Sequence, residues 1–204
     1  MNIEWLGHDG VRITGDGQVI YIDPYQLEGG VPADIVLVTH GHFDHCSSDD
    51  IQKVLKDDTV IVSSYGCEPP RKPEEMKPGE KKTVKGIEIE ALPSYNVNKD
   101  FHPKSTEGLG YIVTVEGKRI YHAGDTDHIP EMSDINVDIA LLPVSGTYVM
   151  DAKEAAEAAK AINPKLAIPV HYGSGVVGTV EDAKEFKKRL EGSGIEVEIK
   201  EKVV

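Results

Sequence analysis

The run Thr39-His40-Gly41-His42-Phe43-Asp44-His45 packs His40, His42, Asp44 and His45, four side chains able to bind a metal, into six residues. It grows directly out of Ile35-Val36-Leu37-Val38, which is continuously apolar, as a strand buried on both faces is. Residues held at the end of such a strand by a rigid scaffold often do chemistry. In extended backbone, alternate side chains share a face, so His40, His42 and Asp44 can converge while His45 projects toward a second ion. Imidazole nitrogen and carboxylate oxygen suit Zn²⁺, Mn²⁺ and Fe²⁺. The competing reading is a solvated polar loop, and so dense a ligand run makes it a poor one.

Further potential ligands sit in similar places. Asp125 lies in Ala123-Gly124-Asp125-Thr126 and His171 in Pro169-Val170-His171-Tyr172-Gly173, each just after a predicted strand. His102 lies in the loop Asp100-Phe101-His102-Pro103. Small or rigid neighbours at all three let the backbone approach something closely. A mononuclear site needs only three or four protein ligands, so the surplus points to a second ion. Any one of these residues alone would be a weak signal. Asp23, in Ile22-Asp23-Pro24, ends another strand, and orienting a ligating His or capping a turn are equally good readings of it.

Around these motifs the first third of the chain reads as β structure, with strands at 11–14, 19–23, 35–39 and 59–64. Helical spacing appears at 49–56. Residues 68–82 and 96–110 read as loops, 86–93 as a half-exposed strand, and 111–115 with 119–123 as a hairpin. The last third alternates strands (139–144, 166–170, 195–200) with helices (151–162, 180–190), which suggests sheets covered by helices. The 204 residues favour one domain, 1–204. A net charge of −13 repels phosphate backbones and argues against general nucleic-acid binding, while a bound metal pair can still reverse the potential locally. No apolar run approaches the ~20 residues that cross a bilayer, and no signal peptide opens the chain. Cys46 and Cys67 are not a disulfide framework and fit a reducing cytoplasm.

Taken in order, Trp5-Leu6-Gly7-His8, Ile22-Asp23-Pro24, the HxHxDH run, Gly124-Asp125-Thr126, Leu142-Pro143-Val144-Ser145-Gly146 and Ile168-Pro169-Val170-His171 resemble the metallo-β-lactamase superfamily. More narrowly they resemble small metal-dependent hydrolases related to ascorbate-6-phosphate lactonase, over nearly the whole chain. The resemblance implies an α/β fold, the αββα sandwich of the metallo-β-lactamase type. It also implies two divalent ions, Zn or Mn. One would take His40, His42 and His102, the other Asp44, His45 and His171, and Asp125 would bridge them. His122 and His128 are rivals for the place of His102. His8 and Tyr172 become candidates to support the ligands or touch substrate; Tyr172 could donate to an oxyanion, against the plainer reading of a tyrosine packed in the core. Asp9 stands where relatives often have Ser, and reads as a turn residue or a substrate contact. Lys104 and Ser105 could meet an anionic substrate.

The function this implies is hydrolysis of a small ester, lactone or phosphorylated metabolite by a metal-bridged hydroxide, oriented by Asp44 as the catalytic residue. A phosphodiesterase or nuclease of the same superfamily is the alternative. A redox di-iron protein fits less well, because such relatives usually place Glu in the first motif. The expected partner is a small molecule. Relatives of this size often self-associate, so a homo-oligomer is also among the expectations.

Overall fold

The structure is a computed structural model and describes residues 1–203. Its first sheet runs in spatial order through β1 (Asn2–Gly7), β2 (Gly10–Gly15), β3 (Gln18–Ile22), β4 (Ile35–Val38), β5 (Val60–Ser63) and β6 (Glu74–Glu75). β1, β2 and β3 form an antiparallel meander, and β3 to β6 are parallel. The second sheet holds β7 (Lys81–Val84), β8 (Ile87–Pro93), β9 (Leu109–Val115), β10 (Lys118–His122), β11 (Ile139–Pro143), β12 (Leu166–Val170) and β13 (Glu196–Val197), in reverse spatial order. β7 to β10 are antiparallel, and β10 to β13 parallel.

Residue alternation explains the layering. Ile20, Ile22, Ile35 and Leu37 point into the core shared by the two sheets. Their neighbours Tyr21, Val36 and Val38 point the other way, onto Ile51 and Val54 of helix α1 (Ser48–Val54). β4 is therefore covered on both faces, as its unbroken apolar run predicts. The second sheet is covered by α2 (Ala152–Ile162) and α3 (Val180–Arg189), which contact β11 and β12 respectively. α2 begins at a capping box, Asp151 with Glu154, and ends where Asn163 turns left-handed before Pro164. Its buried face is mostly alanine, which lets the helix lie close to the sheet. α3 begins at the capping box of Thr179 and Asp182 and buries Ala183 and Phe186. The order is helix, sheet, sheet, helices, the expected αββα sandwich.

Two expectations need correction. Residues 68–82 are not all loop, because β6 pairs with β5, and β7 forms a hairpin with β8 through Lys85 and Gly86, both at positive φ. The strand expected at 195–200 is reduced to the two residues of β13. Among the described residues, no helix is long and apolar enough to cross a membrane.

Candidate metal centre

The site lies where the two sheets meet at one edge, and backbone bonds tie that edge together. Leu109 N–H donates to Thr39 O at 2.9 Å, which joins the end of β4 to the start of β9. His171 N–H donates to His8 O at 2.7 Å, which joins the end of β12 to the end of β1. Four residues here are forced into left-handed backbone: His8 (φ 54°), Asp23 (φ 45°), His102 (φ 52°) and His171 (φ 63°). Such conformations are uncommon outside glycine and persist only where the surroundings over-determine them. At Gly124 (φ 62°) a Cβ would lie 2.7 Å from Leu109 O, so only glycine lets β10 deliver Asp125 at this point.

Asp125 is the hinge of the arrangement. Its Oδ1 lies 3.3 Å from His45 Nε2 and 3.1 Å from His171 Nε2. Its Oδ2 lies 3.3 Å from His102 Nε2 and 3.9 Å from His40 Nε2. His42 Nδ1 sits 3.0 Å from His40 Nε2 and 3.1 Å from His102 Nε2. Asp44 Oδ2 is 4.0 Å from His45 Nε2. One carboxylate thus faces two clusters, His40, His42 and His102 through one oxygen, and Asp44, His45 and His171 around the other. His45 Nε2, His171 Nε2 and Asp125 Oδ1 are buried with no hydrogen-bond partner among the described residues. Buried polar atoms without partners are costly, and three that converge on one point fit a cation held there. The donor set is nitrogen and oxygen throughout; the half-buried Cys46 turns to Cys67, and that contact with its burial raises its pKa.

A second layer fixes each imidazole. The Asp23 carboxylate accepts from Thr39 N–H (2.8 Å), Thr39 Oγ1–H (2.5 Å) and His45 Nδ1–H (2.7 Å). Since the Thr39 hydroxyl proton goes to Asp23, its oxygen accepts from His40 Nδ1–H at 3.0 Å. Asp23 therefore aims the Nε2 lone pairs of both His40 and His45 inward, and it is an orienting residue rather than a turn cap. Ser145 Oγ lies 2.7 Å from His171 Nδ1, and Tyr148 O lies 3.3 Å from His102 Nδ1. His8 is fully buried; its Nε2–H donates to Asp44 Oδ2 at 3.0 Å, and its Nδ1 accepts from Ser174 Oγ at 3.0 Å.

The electrostatics follow. Burial raises the Asp44 pKa, but the His8 hydrogen bond and the charge of His45 outweigh it and hold Asp44 at about 2. Burial pushes His40 well below its ordinary value, helped by His45, and lowers His102 despite Asp125. Burial also lowers His45, but Asp125 and Asp23 carry it well above its ordinary value. Burial raises Asp125, and the charges of His171 and His45 drive it well below the usual carboxylate range.

The rivals of His102 are elsewhere. His128 is exposed, and His122 Nε2 donates to Asp9 O at 2.9 Å behind the site. The geometry decides between the alternatives for three further residues. The ring of Tyr172 turns away from the site, buried and stacked on Trp5 at 4.5 Å, so its hydroxyl is no oxyanion donor here. Asp9 is a turn residue between β1 and β2 and not a substrate contact, being fully buried 3.7 Å behind His45 Nδ1. Lys104 is paired with Glu131 at 2.8 Å instead of facing the site.

This two-sheet sandwich with a His/Asp cluster at its edge defines a metallo-β-lactamase fold, and residues 2–171 match the family described as "Beta-lactamase superfamily domain". A UPF0173 metal-dependent hydrolase of Methanopyrus kandleri is 34% identical, over 98% of this chain and 95% of that one. The solved structure of a metal-dependent hydrolase from Parabacteroides distasonis superposes with a TM-score of 0.87 at 36% identity, covering 99% of this chain and 93% of that one. A metallo hydrolase from Ignicoccus hospitalis gives 0.80 at 25% identity, over 99% and 95% of the two chains. The chain belongs to the UPF0173 metal-dependent hydrolase family of the metallo-β-lactamase superfamily.

Proposed function

We propose that the protein is a binuclear hydrolase of a small ester, lactone or phosphorylated metabolite. One divalent ion would be held by His40, His42 and His102 and the other by Asp44, His45 and His171, with Asp125 placed to serve both. The observation that carries this reading is the division of Asp125, Oδ1 toward one histidine pair and Oδ2 toward the other. Zn²⁺ or Mn²⁺ suits the donors. When bound, such a pair supplies acidification of water to neutral pH and charge stabilisation at the electrophile.

The chain's own residues do the rest. Asp44, kept ionised and fixed by His8, orients the attacking water by accepting its hydrogen bond. Asp23 and Thr39 keep His40 and His45 in the tautomer with Nε2 free, and Ser145 does the same for His171. For an ester, one water adds across the acyl–oxygen bond, that bond breaks, and a carboxylic acid and an alcohol leave.

Elemental analysis of the purified protein tests the site. Wild type is expected to hold about two ions per chain and His102→Ala about one, while Asp125→Ala weakens both positions, since each depends on the shared carboxylate. A single ion in wild type, or an unchanged content in Asp125→Ala, would overturn the shared site. Turnover of a lactone, ester and phosphoester panel, abolished in Asp44→Ala, tests the hydrolase reading.

A further inference from the structure

The mouth of the site carries information that the metal cluster does not. A cavity of about 450 Å³ opens beside His40, His42, His102 and Asp125, a size suited to a small molecule. Among the described residues that line it, the charged side chains other than the histidines are Asp100 and Asp125, and no Lys or Arg is present. The two lysines of the loop that carries His102 are engaged elsewhere. Lys99 is paired with Asp127, and lies 3.7 Å from Glu154. Lys104 is paired with Glu131 and sits over the Tyr95 ring, 4.5 Å from its centre. A phosphate group entering here would meet carboxylates and, apart from the ions, nothing to neutralise it.

Two aromatic rings stand in the wall of the cavity instead. Tyr65 is 67% exposed and Phe101 47% exposed, and both line the cavity. Phe101 stands edge-on to Tyr148, with ring centres 4.7 Å apart, so it is a braced surface rather than a free side chain. Phe43, inside the ligand run itself, is 68% exposed. Large apolar side chains left in water around a concave polar site mark a binding surface. The hydroxyls of Ser64, Ser94 and Thr106 also line the cavity, but each has a partner within the protein: Ser94 Oγ–H donates to Asp125 O at 2.9 Å, Thr106 Oγ1–H donates to Pro103 O at 2.7 Å, and Ser64 Oγ lies 3.2 Å from Cys67 Sγ, so these walls offer no free donor to an anionic group.

We propose that the cavity selects an uncharged carboxylic ester or lactone bearing an aromatic or similarly bulky apolar group, seated between Tyr65 and Phe101 with the scissile carbonyl at the Asp125 end. This rests on the hydrolase reading above and narrows it, setting aside phosphorylated substrates.

The test uses the metal-loaded full chain with four probes: 4-nitrophenyl phenylacetate, 4-nitrophenyl acetate, 4-nitrophenyl phosphate and bis(4-nitrophenyl) phosphate. After division by their rates in buffer, kcat/KM for the phenylacetyl ester is expected to exceed that for the acetyl ester about 10-fold or more, the value of a filled apolar pocket. The two phosphate esters are expected to be slower still. Phe101→Ala should bring the ratio of the two carboxylic esters to within about 2-fold, by removing the wall the ring rests on. Preference for either phosphate ester overturns the substrate class while leaving the hydrolase reading intact. Equal use of the two carboxylic esters, or a ratio that Phe101→Ala does not move, also overturns it. If no probe is turned over while both ions stay bound, it is the hydrolase reading that fails. Calorimetry then still decides the cavity's preference: phenylacetamide binding that Phe101→Ala weakens supports an apolar, uncharged ligand, and tighter binding of phenyl phosphate, or no binding of phenylacetamide, overturns it.

Discussion

Asp9 is fully buried 3.7 Å from Nδ1 of His45 and 3.7 Å from Nε2 of His122, and neither of its carboxylate oxygens has a hydrogen-bond partner among the described residues. A carboxylate in that position costs stability unless positive charge nearby repays it. Two divalent ions beyond His45 would be such a charge. Asp9→Asn is therefore expected to leave the metal-free protein as stable as wild type or more so, yet to weaken metal affinity by roughly 10-fold or more, the usual effect of an outer-layer partner. Thermal melts with and without metal, together with metal titration, check both halves. An Asp9→Asn protein that gains as much from metal as wild type does would refute the account. Legibility at this scale followed spacing. His40, His42, Asp44 and His45 stood out because they crowd one run, and Asp125 and His171 because each ends a strand. His102 could be separated from His122 and His128 only by tertiary geometry, namely the Tyr148 carbonyl it faces and the exposure of His128. Tyr172 is the packed core tyrosine of its plainer reading, since adjacency in sequence does not fix side-chain direction after a residue in left-handed backbone, and His171 is one.

Asp50 shows what an element contributes to the site's frame. It sits in the first turn of α1, where its carboxylate accepts from Gln26 N–H and Leu27 N–H, each at 2.9 Å, from Ser47 Oγ at 2.6 Å and from Lys53 Nζ at 2.8 Å. It thereby clamps the loop after Asp23 to the helix that follows the ligand run. Burial raises its pKa, but Lys53, Ser47 and the two backbone donors bring it below the ordinary carboxylate value. A carboxylate whose pKa is depressed by folding adds stability above its unfolded pKa, near ~4, and that stability fades as pH falls through the lower folded value. Asp50→Asn should thus be about 1.5–3 kcal/mol less stable at pH 7, the worth of hydrogen bonds to a charged group. The gap to wild type should close as pH drops below ~4, where the wild-type side chain protonates too. Urea denaturation of both metal-free proteins across that range measures it, and a gap that stays constant to pH 2.5 would contradict the clamp. At this scale the strong signals were the unbroken apolar strands and the capped helices. β6 and β7 were hidden because Glu74, Glu75, Lys81 and Lys82 belong to edge strands that face water and carry almost no apolar pattern.

Across the whole molecule, the candidate ligands arrive from separate parts of the chain. His40 to His45 follow β4 of the first sheet, while His102 lies between β8 and β9, Asp125 after β10 and His171 after β12 of the second. An ion bound by such a set exists only when both sheets are in place, so binding free energy becomes folding free energy. At a free metal concentration 100 times Kd, the gain from one site is about 2.7 kcal/mol. For a chain of this size each kcal/mol moves Tm by about 2–4 °C, so each site filled to that level with Zn²⁺ or Mn²⁺ should raise Tm by roughly 5–10 °C. A chelator should reverse the rise. The chain's charge of −13 adds a salt dependence, since part of the gain is relief of acidic self-repulsion, and exposed charges are screened beyond about 10 Å at 0.1 M salt. The increment should therefore shrink with added salt without vanishing, because the bonds to the buried ligand atoms are not screened. Asp125→Ala separates the two contributions: it removes one negative charge but both shared contacts, and should lose most of the metal-induced rise at every salt concentration. A rise equal to that of wild type in Asp125→Ala would mean that the metal acts on the acidic surface and not at the meeting edge of the sheets.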